Sequence, residues 1–291
     1  MLIWGHISAS CWRNDLTNKI LSKSMIQEGF TFYRPHKALR EYVRYYWVFS
    51  SNLAVSALTF PTGYPQIIFH KRKPLYILEL NQSQSRLTIS GQVNFPSHLS
   101  TCGDTEMIVV EFKPYGLSAF LNIPASLFYN REVSGYDTGD KGLRELDERI
   151  SGCEDNSVCI KLIDNWLLSR IANLADHRTQ RIKAAVNQIF TVPQTSISDL
   201  AATACLGKKQ FERSFRSLVG INPKEYAEIV RFQRALALMQ CGESELGQIA
   251  YTCGYSDQSH FTREFRKFSG LTPSALLKTT SVHSDLFSNP V

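Results

Sequence analysis

The sequence predicts an α+β protein: a β-rich front region, a helical connector, and an all-α rear region holding two helix-turn-helix units. Three observations predict it. Residues 31–129 alternate short runs rich in β-branched and aromatic residues with turn signals. Residues 141–175 carry apolar residues at helical spacing. The last third repeats itself. Phe211-Glu-Arg213-Ser-Phe215-Arg216, Gly220 and Pro223 recur 50 residues later as Phe261-Thr-Arg263-Glu-Phe265-Arg266, Gly270 and Pro273.

Residues 1–30 show little periodicity and are expected to form an N-terminal arm. The front domain, 31–135, opens on a helix expected at Lys37–Tyr42. Strand-like runs follow at Tyr45–Phe49, Gln66–Phe69, Pro74–Leu78, Arg86–Ser90 and Met107–Phe112. Pro61-Thr62-Gly63-Tyr64-Pro65, Asn81-Gln82-Ser83 and Phe95-Pro96-Ser97 are the turns between them. Many short strands of this kind predict a sandwich or small barrel, a cupin-like form included. A helix over Tyr115–Leu121 closes the region. Tyr45, Trp47, Tyr64, Phe69 and Tyr76 are either core or the lining of a pocket.

The connector, 136–177, reads as helices over Leu143–Ile150 and Val158–Leu174. Trp166, Leu167, Ile171 and Leu174 are too many apolar residues for a solvated linker. They pack on the β-domain or pair two protomers.

In the rear domain, 178–279, Ser196 caps a short helix carrying Ile197, Leu200 and Ala201. A turn near Leu206-Gly207 leads into a second helix with Phe211, Phe215 and Leu218 on one side. The second unit starts at Leu246, turns at Gly254, where glycine tolerates a left-handed backbone, and continues with Phe261, Phe265 and Phe268. Asn222-Pro223-x-Glu225 and Thr272-Pro273 are helix starts. Between the units, 223–240 forms one helix about 27 Å long at ~1.5 Å per residue. That is close to the ~34 Å separating successive major grooves on one face of DNA. Residues 280–291 are a tail.

The run Ile249-Ala250-x-x-Cys253-Gly254-Tyr255-Ser256-Asp257-Gln258-Ser259-His260-Phe261-x-Arg263-x-Phe265-Arg266-Lys267-x-x-Gly270-x-Thr272-Pro273-Ser274 resembles the signature of the AraC family of bacterial transcription regulators. The likeness covers about 178–279. The first unit departs from the pattern at Gly207, where the family often has Ser or Thr. Tyr33-x-Pro35 through Trp47, Phe60-Pro61-x-Gly63 through Phe69, and Phe112-x-Pro114-x-Gly116 through Pro124 are similar to a β-domain in one branch of that family, whose Pro-Asp-Gly turn is Pro61-Thr62-Gly63 here. The resemblance implies a sequence-specific transcription regulator, an activator, with double-stranded DNA and RNA polymerase as partners. It also implies an N-terminal domain governed by a small-molecule effector or by homodimerisation through the connector. With no charged cluster in view, an apolar or aromatic effector is favoured.

The helix-turn-helix grammar places the reading positions near the start of each second helix. The exposed candidates are Lys208, Lys209, Gln210 and Arg213 in the first unit, and Ser256, Gln258, Ser259, His260 and Arg263 in the second. The resemblance assigns base contacts to Lys209, Gln210, Arg213, Gln258, Ser259 and Arg263. The competing reading has Arg213 and Arg263 bracing the fold through Glu225 or Asp257.

Charge agrees with a phosphate partner. Over 178–291 there are 14 Lys and Arg against 9 Asp and Glu; over 1–177 there are 18 against 17. The seven cysteines, at 11, 102, 153, 159, 205, 241 and 253, form no CxxC or Cys/His cluster and read as free thiols of a cytoplasmic protein. Cys205 and Cys253 are expected in the core beside the two turns. No run is long and apolar enough for a membrane span, and the start lacks signal-peptide features. His36, His70 and His98 stand apart, and no hydrolase, phosphate-loop, dinucleotide or zinc-protease motif occurs. No enzyme, metal or cofactor is therefore expected. Two other classes stay open: a DNA-bound enzyme such as a repair alkyltransferase fusion, and an architectural DNA-binding protein.

Overall fold

A computed structural model describes residues 29–171, 177–241 and 245–278. The expected arm up to residue 28, the expected tail, Leu174 and Cys11 lie outside the described residues. Ten strands form two antiparallel sheets. They are β1 (Phe30–Tyr33), β2 (Val43–Ser51), β3 (Val55–Thr59), β4 (Gln66–His70), β5 (Tyr76–Ile77), β6 (Gln82–Ser83), β7 (Leu87–Ser90), β8 (Ser97–Thr101), β9 (Thr105–Phe112) and β10 (Glu132–Ser134). The larger sheet runs β1-β2-β9-β4-β7-β10, and the smaller β3-β8-β5-β6.

The larger sheet is buried on both faces, which explains why its central strands are apolar almost throughout. Tyr45, Trp47, Phe49, Ile68, Met107 and Val109 face the smaller sheet. Tyr46, Val48, Ile67, Phe69, Ile108 and Val110 face the helices, in a core that runs on without a break into the rear domain. A bulge between Val43 and Tyr45 adds Arg44 to β2. It lets Val43 and Tyr46 share one face and Tyr45 and Trp47 the other. Arg44 is held by Glu111 at 2.7 Å.

Ten α-helices are described: α1 (Gly116–Leu121), α2 (Lys141–Ser151), α3 (Asn156–Ile171), α4 (His177–Thr191), α5 (Ile197–Thr203), α6 (Lys208–Val219), α7 (Pro223–Cys241), α8 (Leu246–Thr252), α9 (Gln258–Ser269) and α10 (Pro273–Lys278). The helix expected over Lys37–Tyr42 is only a 3-10 turn, Lys37–Leu39. Val43 is already committed to pairing with Phe112, so the chain must extend. Pro74–Leu78 supplies only the two-residue β5. Strands β1, β3, β6, β8 and β10 are additions to the expected set.

The three histidines have separate partners. His36 caps the 3-10 turn, His98 pairs with Glu79 at 2.5 Å, and His70 bonds Gln84 at 2.9 Å. Burial holds His70 neutral, its pKa lowered to about 4. Among the described residues no group of three or more His, Cys, Asp or Glu is placed to hold a metal ion.

Helix α3 corrects the dimer reading of Leu167. Ile163 and Leu167 are wholly buried within the chain, and Ile160 nearly so. Asp164 accepts the Tyr46 hydroxyl at 2.6 Å and the His36 amide at 3.1 Å. Trp166 and Ile171 are partly buried against the same core. The apolar stripe of α3 is thus spent inside the chain, against α2, the 3-10 turn and α1. Leu167→Ala should cost about 2–5 kcal/mol in urea unfolding of the full chain and leave the light-scattering mass unchanged. A change of mass without loss of stability would restore the dimer reading.

Candidate nucleic-acid interface

Each helix-turn-helix unit is built from local chemistry that the repeat makes visible. Ser196 caps α5, accepting the Asp199 amide at 3.1 Å. In the first turn the Leu206 amide reaches Ala201 O; in the second the Tyr255 amide reaches Ala250 O, both at 3.0 Å. The left-handed residue is Cys205 (φ +51°) in one and Gly254 (φ +76°) in the other. These equivalences lie 49 residues apart, whereas Phe211 and Phe261 lie 50 apart. The second turn therefore holds one extra residue. Gly207 alone leads into α6 without a side-chain cap, while Ser256-Asp257 leads into α9 and Asp257 accepts the His260 amide at 2.7 Å. Both second helices end on a left-handed glycine, Gly220 and Gly270.

Cys205 is exposed rather than in the core, because its left-handed backbone turns the side chain outward. Cys253 is buried as expected. The five cysteines whose state is described are free.

Phe211, Phe215, Leu218 and Val219 bury one side of α6; Phe261, Phe265 and Phe268 bury one side of α9. Both stripes close on α7. Phe215 meets Tyr226 at 5.8 Å, and Phe232 meets Phe265 at 5.0 Å and Phe268 at 5.4 Å between ring centres. The spacer is thus the common core of both units. The opposite side of each second helix is left to solvent. Lys208, Lys209, Gln210 and Arg213 are exposed, as are Ser256, Gln258, Ser259 and Arg263. Among the described residues, the side chains of Lys208, Lys209, Gln210 and Arg213 have no hydrogen bond or ion pair.

The bracing alternative fares differently for each arginine. Glu225 is occupied by Asn94 at 2.6 Å and Tyr129 at 2.8 Å, so it does not hold Arg213. Asp257 has its pKa lowered chiefly by the His260 amide, with a smaller pull from Arg263. His260 is half-buried and looks inward. Its Nδ1 meets Ser256 Oγ at 3.1 Å, its ring stands edge-on to Tyr255, and Nε2 lies 3.6 Å from Glu264. Glu264 in turn is buried and doubly bonded to Arg231. Arg216 and Arg266, three residues beyond Arg213 and Arg263, are exposed on the same side. The repeat contained them, yet helix-turn-helix grammar favours the helix start, so they were not among the candidates.

Residues 200–279 match the family described as a helix-turn-helix domain, and residues 31–134 match a domain of unknown function (DUF6597). The HTH-type transcriptional regulator YidL of Escherichia coli is 28% identical over 190 residues, 61% of either chain. The chain thus aligns with about three fifths of that relative's length. The arabinose operon regulatory protein of Salmonella typhimurium is 27% identical over 124 residues, 40% of this chain and 44% of that one. Among solved structures, fatty-acid-bound ToxT of Vibrio cholerae overlays 88% of this chain and 98% of its own, with TM-score 0.41 and 14% identity.

A left-handed non-glycine residue costs on the order of 1 kcal/mol. Cys205→Gly should therefore stabilise the protein and raise Tm by ~2–4 °C in calorimetry. A lower Tm would mean that the Cys205 side chain makes a contact worth more than the strain.

Proposed function

We propose that the chain is a member of the AraC family of helix-turn-helix regulators and a sequence-specific transcription regulator that reads double-stranded DNA in the cytoplasm with α6 and α9. The observation that carries this reading is the duplicated unit. Two helices built alike, each with a buried phenylalanine stripe and an exposed polar start, are fixed to one shared helix. One chain thereby offers two reading heads at a set spacing, suited to successive major grooves.

The roles follow from side-chain chemistry. Arg213 and Arg263 suit the paired acceptors O6 and N7 of guanine, and Gln210 and Gln258 suit adenine. Lys208, Lys209, Arg216 and Arg266 suit phosphate, which gives affinity without sequence information. Ser256 and Ser259 stand at the start of α9 beside Gln258. His260 we assign to holding the α9 entry in place, since its ring already has partners inside the domain.

The front domain is suited to control these heads because it grips their shared helix. Asn94 and Tyr129 donate to Glu225 in the first turn of α7. Gln233 Nε2 donates to Pro61 O at 2.6 Å, and Phe60 meets Phe232 edge-on at 5.9 Å. Ser118 Oγ donates to Leu218 O at the end of α6 at 3.0 Å. A ligand that prefers one arrangement of this joint changes DNA affinity by its differential binding.

Two measurements test the reading. In a binding-site selection, Arg213→Ala should lose about 1–3 kcal/mol on the wild-type site and relax preference at one end of the footprint. Arg263→Ala should do so at the other end, about one helical turn away. Uniform weakening with unchanged preference would leave an architectural DNA-binding protein. For the joint, Asn94→Ala with Tyr129→Phe removes two donors to Glu225. Hydrogen exchange at 222–228 should speed up roughly tenfold, from about 0.5–1.5 kcal/mol per lost bond. The full-chain Kd for DNA should shift with base preference intact. An unchanged Kd would remove the coupling.

A further inference from the structure

A cavity of about 80 Å³ lies between the two sheets. At roughly 10–15 Å³ per water-sized probe it has room for about five to eight small groups. Trp47, Ile68, Leu75 and Met107 give it apolar walls; Gln66, Gln84, Gln92, Ser90 and Glu132 give it polar ones. Of the five aromatic residues that the sequence leaves open between core and pocket lining, Trp47 and Tyr64 line this cavity.

The polar lining is one-sided. It contains no Lys, Arg or His. Each of three amide groups gives one N–H to the protein: Gln66 to Glu111 at 3.2 Å, Gln84 to Glu132 at 3.1 Å, and Gln92 to the Gly63 carbonyl at 2.9 Å. Glu132 is the centre of this set. Its carboxylate accepts from Ser90 Oγ at 2.8 Å and from Gln84, two of about four acceptor positions. Among the described residues it has no ion pair. A half-buried carboxylate without a counter-charge is costly, and burial pushes the Glu132 pKa up to about 7 against the pull of Ser90 and Gln84.

We propose that this cavity binds a small organic cation, an aliphatic ammonium whose charged end pairs with Glu132 and whose hydrocarbon part lies against Trp47, Ile68, Leu75 and Met107. This departs from the apolar or aromatic effector that the sequence favours: a carboxylate without an ion pair, in a lining that holds no Lys, Arg or His, selects a ligand that donates. The site also shares its walls with the joint. Phe60, Gly63 and Gln92 line it, while Phe60 touches Phe232, and a Cβ built on Gly63 would lie 3.2 Å from Tyr226. The effector role of the ligand, though not its binding, rests on the regulator reading above.

The test uses the full-length protein and three near-isosteric probes in calorimetric titration: n-butylammonium, n-butanol and butyrate. Saturable binding, roughly millimolar for so few atoms, is expected for n-butylammonium alone. Glu132→Gln, which keeps the shape of the side chain, should weaken it tenfold or more, with circular dichroism and melting confirming the fold. Equal binding of butanol or butyrate, no saturable binding of the ammonium, or an unaffected Glu132→Gln protein would each overturn the proposal. The ranking of probes on the wild-type protein decides the matter even if the variant misfolds. DNA affinity for the selected site is measured on the same preparation. Lost ammonium binding with intact DNA binding sinks the ligand assignment alone; intact ammonium binding with no DNA binding supports it and sinks the regulator reading.

Discussion

Helix α7 is the member on which the other parts lean. From Pro223 to Met239 only Lys224 is fully exposed. Tyr226 is packed by Phe190 of α4 and Phe215 of α6. One turn and a half later, Phe232 is packed by α9 and by Phe60 of the front domain. A solvated spacer would need only helix propensity to stay straight. This one is held by burial, at about 1.5–3 kcal/mol for each large apolar side chain. Any force on α7 therefore reaches both second helices through rigid contact, since packed cores transmit displacement rather than absorb it.

The same enclosure explains where the polar groups went. Burying a helix between two domains brings their charged side chains out of water, and each must find a partner. Arg231 takes Glu264, Glu225 takes Asn94 and Tyr129, and Lys183 takes Glu41 of the front domain at 2.7 Å. Arg44 lies over the Tyr64 ring at 4.3 Å, and Tyr64 stacks on Phe190. Among the described residues, Lys208, Lys209 and Arg213 of α6 have no such partner and stay exposed.

Much of the rear domain could be read from residues alone because its devices are local. Ser196, Asn222 and Thr272 cap helices within three residues of themselves, and a 3.6-residue stripe of phenylalanines needs no knowledge of its partner. The front domain was legible only where strands lie in the middle of the larger sheet. Val55–Thr59 and Ser97–Thr101 pair with each other in the outer sheet and carry too few apolar residues to announce themselves. Leu167 shows a second limit: an apolar face on α3 states that something covers it, not what. Cys205 shows a third, since nothing in a cysteine signals a left-handed backbone; hydrogen bonding across the turn imposes it. Glu132 shows a fourth. In a short strand a glutamate reads as solvent-facing until the second sheet is in place to cover part of it.

The extra residue in the second turn has a bearing on the DNA itself. Two identical subunits related by a two-fold axis see a palindrome, and such a complex looks the same from either direction. Here the two heads follow one another along a single chain, enter through different turns, and carry different side chains at matched positions, Lys208-Lys209 in one and Gln258-Ser259 in the other. A site recognised this way has a left and a right. Reversing it along the chromosome presents the opposite end of the bound protein to whatever lies downstream. On the proposed reading, orientation, and not only distance, is part of the information available to a single copy of this chain.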